Sequence, residues 1–502
     1  MDPGLGKTTA VAVLLQEILR DSEIRQKGVL ICLSTKRAIQ DLVTEANLAA
    51  ADFAVVTSDP LLSGLSPTLP EEAPVLFTTQ QMLTSKSSGR RFAEIGEFRF
   101  CGKVRKLRIW DESMLPASPI VLDADEISRL LGRIRPVNGT LADQLDQLAN
   151  SAKRTPGGRV LQLPRIATAL SKATSGHGGI TSEDKDIIDR LISLSDTHVR
   201  VRKEIRGGSR SCTASPGKST ILVGFGNELP EDLAPAVVLD ASGRVRRTYQ
   251  LWQEERFSLV RLKSVIRDYS KLTVHVWDHW AGRGTIYSPA RYPAMRQALE
   301  RTIQKDPWSN WLVVHHKQKG HNPDLFAELQ GRVSGKGGPL HSLTWGMHHG
   351  TNLYRGCDRV ILAGLFYTPR SHYEGLVYAA SGIAPDRRQA TSRDIEQMQL
   401  AELLHDIYQA ACRGKVRSGS SQECQLYLMA SRKSGVRRAL PGLFPGCTVK
   451  DWFPPAATRL PPRVQSALNE IETALNSGGP VAFTKVQKAL RMKSSQFNQH
   501  IR

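Results

Sequence analysis

The chain has 502 residues, with 68 Lys and Arg against 48 Asp and Glu, a formal net charge of +20. Hydrophobic residues make up 40% and charged residues 23%, which excludes wholesale disorder and a fibrous repeat. No run approaches the roughly 18 apolar residues of a membrane span, so a soluble, non-exported protein of about three domains is expected. The seven cysteines (32, 101, 212, 357, 412, 424 and 447) form no CxxC and no Cys/His quartet at zinc spacing, which fits reduced thiols in a cytoplasmic setting. The positive charge favours a polyanion partner, because Lys and Arg that neutralise phosphates release condensed counterions.

Residues 8–20 (TTAVAVLLQEILR) carry apolar side chains at helical spacing, and GVLICL (28–33) is a short apolar run, as a buried parallel strand should be. Helical spacing returns at 36–49, followed by the strand-like runs FAVVTS, PVLFTT and KLRIWDES. This alternation predicts a parallel sheet with crossover helices over residues 1–119. From about 120 to 215 the segments are charged and amphipathic, and they predict a helical insertion. Strand character at TILVGFG and AVVLDASG predicts a return to the first sheet over 216–250. A second α/β unit is predicted for 251–435, from KLTVHVWD, a helix near 292–304, WLVVHHKQ, DRVILAGLFYTP, a helix near 394–411 and ECQLYLMAS. A Pro- and Gly-rich stretch then leads into a small α-helical C-terminal region, 436–502.

Residues 2–9 read DPGLGKTT ahead of an apolar helix. Glycines at Gly4 and Gly6 let backbone N–H groups approach phosphates, and the helix N-terminus adds its positive dipole end. Lys7 would reach the β- and γ-phosphates, with Thr8 on Mg²⁺ and Thr9 beside it. The full G-x-x-x-x-G-K-T pattern puts its first glycine at position 1, where this chain has Met1. The strand that would feed the loop is also not in this sequence, which leads us to expect a start inside a longer protein or a fold without that central strand. LRIWDES (107–113) is an apolar strand ending in two carboxylates. Asp111 would hold Mg²⁺, and Glu112 would orient or deprotonate the attacking water.

With these motifs the sequence resembles the superfamily-two helicases, the DEAD-like family with two RecA-like domains. DPGLGKTT is similar to motif I, DES to motif II, ICLSTKRAI (31–39) to motif Ia and LFTTQQML (76–83) to the strand-end element that follows. VVLDAS (237–242) is similar to motif III, and GTN (350–352) to motif V. YQAACRGKVR (408–417) resembles motif VI, with Cys412 where Gly is usual and its last arginine one position late. The resemblance implies ATP and Mg²⁺ between two RecA-like domains, coupling through Asp240 and Ser242, and nucleic-acid contacts at Thr35, Thr79, Gly350, Thr351 and Asn352. It also implies that Gln409, Arg413 and Arg417 face the γ-phosphate. Spaced four apart, these three would share one helix face.

In the tail (483–502), a short helix, a polar connection and a second helix would make a helix-turn-helix offering Gln496, Asn498 and Arg502 to nucleic acid. The expectation is an α/β chain with two RecA-like parallel-sheet domains, a helical insertion and a helical tail. It would act as an ATP-dependent helicase or translocase on DNA rather than RNA, with replication or mobile-element proteins as partners. A DNA-binding regulatory or accessory protein with a defective or non-unwinding ATPase is the alternative.

Overall fold

The computed structural model describes residues 2–454 except 88, 176–178, 206–217, 228, 334–336 and 348–352; beyond 454 it describes 467, 470, 471, 474, 482–490 and 492. Chain order begins with the helix Lys7–Arg20, then β1 (Val29–Leu33), the helix Lys36–Glu45, β2 (Phe53–Val56), β3 (Val75–Thr79) and the helix Gln80–Ser87. A two-residue hairpin, β4 (Arg99–Phe100) and β5 (Lys103–Val104), leads into β6 (Leu107–Asp111). The next three strands are β7 (Ser118–Asp123), β8 (Val160–Gln162) and β9 (His198–Ile205). After these come β10 (Lys218–Gly226) and β11 (Val237–Leu239). The second half holds β12 (Leu272–Trp277), β13 (Trp311–His315), β14 (Leu340–Thr344), β15 (Arg359–Ala363), β16 (Cys424–Met429) and β17 (Thr448–Asp451).

The first sheet is parallel, in the order β11-β6-β1-β3-β2. Its central strands β1 and β3 are buried on both faces. Ile31, Phe77 and Ile109 face the helices Lys7–Arg20 and Lys36–Glu45, while Leu30, Leu76 and Trp110 face Leu83, Phe92 and Tyr249. Continuous apolar runs such as VLICL are what a sheet covered on both sides requires. Arg108 on β6 fixes the edge of this sheet. Its guanidinium donates to the carbonyls of Asp232 (3.0 Å), Leu233 (2.7 Å) and Ala234 (2.9 Å), which brings the segment ahead of β11 alongside β6. The second sheet, β14-β13-β15-β16-β12-β17, is parallel throughout and has its own core around Trp311, Tyr408 and Phe444. These are two α/β units, each built on its own parallel sheet.

Two expectations change. The second unit continues past 435, because the helix Val436–Leu443 and β17 complete its sheet beside β12. The insertion is not purely helical: β7, β10, β9 and β8 form an antiparallel sheet in that order. The TILVGFG run belongs to β10 and pairs with β7 and β9, so it does not rejoin the first sheet. One face of this sheet carries the helices Ala124–Ile134, Gly139–Arg154, Ala167–Thr174 and Ser182–Leu194 over a core of Leu122, Leu145, Leu191 and Leu222.

The other face of the inserted sheet packs against the second half. Alternate residues of β10, Ile221 and Val223, join Tyr373, Leu376 and Val377 of the helix Arg370–Ser381. That helix is buried on nearly every side. A bidentate pair closes the seam: Arg202 donates through Nε and Nη2 to Glu374, whose side chain is 1% exposed. Glu204 accepts from the backbone and hydroxyl of Ser371 (2.9 and 3.1 Å). Among the described residues no helix is long and apolar enough to cross a membrane.

Removing one partner of a buried pair strands the other charge out of water. Glu374→Ala is therefore expected to cost about 3–5 kcal/mol, against under about 1 kcal/mol for Glu97→Ala at the more exposed Lys86–Glu97 pair. Calorimetric unfolding of the two variants checks this, and equal shifts in Tm would contradict a structural role for the seam.

Candidate nucleotide-binding cleft

The cleft is built where the phosphate loop, the ends of β6 and β11, and the end of the helix Ser392–Ala411 come together. Gly4 (φ 74°) and Gly6 (φ 78°) hold left-handed backbone that disfavours any side chain, and Gly6 caps the helix Lys7–Arg20. A Cβ at Gly6 would meet nothing within 4 Å, so the turn opens onto free space at the helix head. Lys7 donates to the Asp2 carbonyl (3.2 Å). Burial lowers its pKa, opposed by the charges of Asp111 and Asp240. Thr8 is exposed at the same helix head. Thr9 turns away, donating to Glu45 (2.6 Å).

Asp111 ends β6, and Glu112 follows with a positive φ of 72°, an uncommon conformation for a residue with a side chain and one that clusters at working sites. The backbone N–H of Glu112 is held by the Leu239 carbonyl of β11 (3.2 Å). Burial, and then repulsion from Glu112, raises the Asp111 carboxyl to about 6. Glu112 is raised too, again chiefly by burial, against the pull of Arg413 and a hydrogen bond with Ser34. Asp240, just past β11, adds a third carboxylate to the group, and its Oδ2 is buried without a hydrogen-bond partner. Among the described residues no group of three or more His, Cys, Asp or Glu stands close enough together to hold a metal ion, so a hard divalent cation here would rest on Asp111 and Thr8 and take its other oxygens from phosphate and water.

The helix Ser392–Ala411, which carries the start of the run that resembles motif VI, ends with Cys412 as its cap, so Gln409, Arg413 and Arg417 do not share one helix face. The turn beyond it nevertheless brings the arginines to the cleft. Arg413 donates to Gln409 (2.9 Å) and faces Glu112 across the domain boundary. Arg417 lies farther along, at Gly4: a Cβ built there would stand 3.4 Å from its Nε. The two arginines thus serve different ends of the site.

Asp240 and Ser242 also reach the second half. Asp240 Oδ1 accepts from the backbone and hydroxyl of Ser242 (2.7 and 2.6 Å). Ser242 Oγ lies 2.6 Å from Nδ1 of His405, on the motif VI helix. Because the serine uses its one hydrogen on Asp240, the Nδ1 of His405 must carry the donated proton. One turn away, Arg246 is paired with Glu402 (3.0 Å) in the same buried layer.

Thr35 and Thr79 sit at the adjacent ends of β1 and β3. Each accepts from a backbone N–H of the following helix, Ala38 and Met82 respectively, both at 3.1 Å. Gly350, Thr351, Asn352, Gln496, Asn498 and Arg502 lie outside the described residues. Sequence reasoning missed His405, Arg244 and Arg267. Arg244 bonds Asp2 (3.0 Å) and the carbonyls of Gly442 (2.7 Å) and Leu443, so it ties the phosphate loop to the second half. The RVRR run at 244–247, directly after motif III, was the one available hint.

No protein-family model and no curated protein matches the chain. Similar solved structures include an apo XPD at 12% identity and a TM-score of 0.44, covering 90% of this chain and 96% of that one. Dbp5 of S. cerevisiae bound to RNA and ADP BeF3 is 10% identical at a TM-score of 0.37, covering 98% and 88%. The ATP-dependent type ISP restriction-modification enzyme LlaBIII bound to DNA is 10% identical at 0.31, covering 99% of this chain and 32% of that one. The likeness extends along nine-tenths or more of this chain. With TM-scores of 0.44 and below, it fixes neither substrate nor activity.

Asp406 gives the motif VI helix a pH signature. Burial, opposed by Arg246, raises its carboxyl from the ordinary 3.8 to about 7. The folded state then holds a proton that the unfolded state has already released, so this group's contribution to stability declines as pH rises from about 4 to about 7. Asp406→Asn lacks that decline. Its Tm relative to the parent should climb across this window and level off above it; a pH-independent difference in a melting series would contradict the assignment.

Proposed function

We propose that this chain is an ATP-dependent motor of the superfamily-two helicase type, hydrolysing ATP between its two RecA-like units and acting on DNA rather than RNA. The observation that carries the reading is the placement of Glu112 on a strained strand end, with Lys7, Asp111 and Asp240 on one side and Arg413 on the other. Lys7 and the Gly4–Gly6 turn would cradle the phosphates, and Thr8 and Asp111 would hold Mg²⁺. When bound, the cation would supply positive charge that neutralises charge developing on the phosphates. Glu112 would orient and deprotonate the attacking water. The Arg413 guanidinium, held by Gln409, would stabilise charge on the transferring phosphoryl group, with Arg417 beyond it. Asp240 and Ser242 would pass the state of the cleft to the second unit through His405.

The net charge of +20 supports a nucleic-acid partner. Thr35 and Thr79, side by side at two strand ends, lie on the edge from which the resemblance expects contact with a strand. Intact, the protein should hydrolyse ATP faster when single-stranded DNA is added. Glu112→Gln should lower kcat by about 10²–10⁴-fold while ATP still binds, the range expected on losing a positioned base, and Lys7→Ala should abolish turnover. Tight DNA binding with background hydrolysis at every DNA concentration would instead favour an accessory protein without a motor.

A further inference from the structure

The connection between the two units, residues 257–268, runs without helix or strand and delivers Arg267 to the phosphate loop. The backbone N–H of Arg267 donates to Asp2 Oδ2 (3.0 Å), and its Nη2 donates to the Gly4 carbonyl (2.9 Å). A Cβ built on Gly4 would stand 3.7 Å from that Nη2 and 3.4 Å from Arg417 Nε, so two guanidinium groups from outside the first sheet converge on one glycine. The stem of Arg267 is held in turn by Gly419, where an added Cβ would meet Arg267 Cγ and Cδ at 2.6 Å. Arg244, a third arginine at this loop, is committed to Asp2 and two carbonyls. Arg267 is less fully engaged: its side chain bonds the Gly4 carbonyl, its Nε is buried with no hydrogen-bond partner, and among the described residues it makes no ion pair.

A guanidinium stays charged, so a partly buried one beside a second cation is costly until an anion with several acceptor oxygens arrives. Charge-assisted bonds to phosphate are the strong kind, and the planar fork of Arg suits them. Gly4 lies in the turn leading to Lys7, so the anion that fits is the polyphosphate end of a nucleotide. We propose that Arg267 is a further nucleotide-binding residue, a linker arginine that with Arg417 takes the terminal phosphates of a nucleoside triphosphate. This rests on the nucleotide reading of the Lys7 loop. It adds that the connection between the units itself distinguishes triphosphate from diphosphate.

The test is equilibrium titration of the full chain with a fluorescent, non-hydrolysable ATP analogue and with the matching ADP. Arg267→Ala should weaken the triphosphate by about tenfold, the worth of one lost hydrogen bond to a charged group, and the diphosphate by less than about twofold. Arg267→Lys, which keeps the charge without the fork, should fall between. Melting curves establish that each variant is folded, and Arg267→Lys alone carries the comparison if Arg267→Ala is not. Equal loss for both nucleotides, or no loss for either, overturns the proposal. Lys7→Ala separates the two levels. If it abolishes binding while Arg267 variants do not discriminate, the linker proposal fails alone; if it leaves binding intact, the phosphate-loop reading fails and takes the proposal with it.

Discussion

The working geometry depends on a buried polar seam between the first sheet and the helix Ser392–Ala411. Asp240, Ser242 and His405 form one hydrogen-bonded line, and Arg246 meets Glu402 one turn away. Ser242, His405 and Arg246 are buried, with Asp240 and Glu402 half-buried beside them, so their polar groups are paired mainly with one another. The line fixes the helix in both register and rotation. Four residues beyond His405 stands Gln409, and the turn that follows places Arg413 opposite Glu112. The seam thus sets the rotation of that helix against the first sheet.

The inserted sheet adds a second tie between the same halves, far from the phosphate loop. Its apolar face, with Arg202 on Glu374, covers the helix Arg370–Ser381, which leads into the motif VI helix. A third tie lies at the loop itself, where Arg244 and Arg267 reach Asp2 and Gly4. The ties differ in kind. The insertion seam is largely apolar and its area resists separation, whereas the loop contacts are charge-assisted and can be exchanged for phosphate oxygens. Motion driven by a nucleotide would therefore be expected at the loop and the polar seam, with the insertion as the stationary side.

How much the sequence disclosed follows from the same physics. Runs such as VLICL and WLVVH announce strands because both sheet faces are buried, and the Gly–Lys–Thr turn and the paired carboxylates stand out because phosphate chemistry restricts residue type; the fold brings these two segments to one cleft. The inserted strands were hidden. In β9 the alternate residues Arg200, Arg202 and Glu204 point at the second half and find carbonyls, Glu374 and Ser371 there, so a buried face reads as a solvated one. The helix Arg370–Ser381 was missed for the converse reason: buried nearly all round, it shows no amphipathic period. The motif VI spacing suggested a helical face, but the helix stops at Ala411; Gly414 lies so near the Cys357 carbonyl that a Cβ would come within 2.7 Å. Arg267 carries no local signal at all, since its role arises only when the connection folds back on the loop.

The central claim is that the first sheet positions the motif VI helix through Ser242 and His405. A double-mutant cycle on that pair, read as kcat/KM for DNA-stimulated ATP hydrolysis, tests it most directly. Ser242→Ala and His405→Ala should each lower the rate, and the double variant should be little worse than the worse single. That leaves a coupling energy of at least about 1 kcal/mol, as contacting residues in one network show. Strict additivity of the two losses would contradict it.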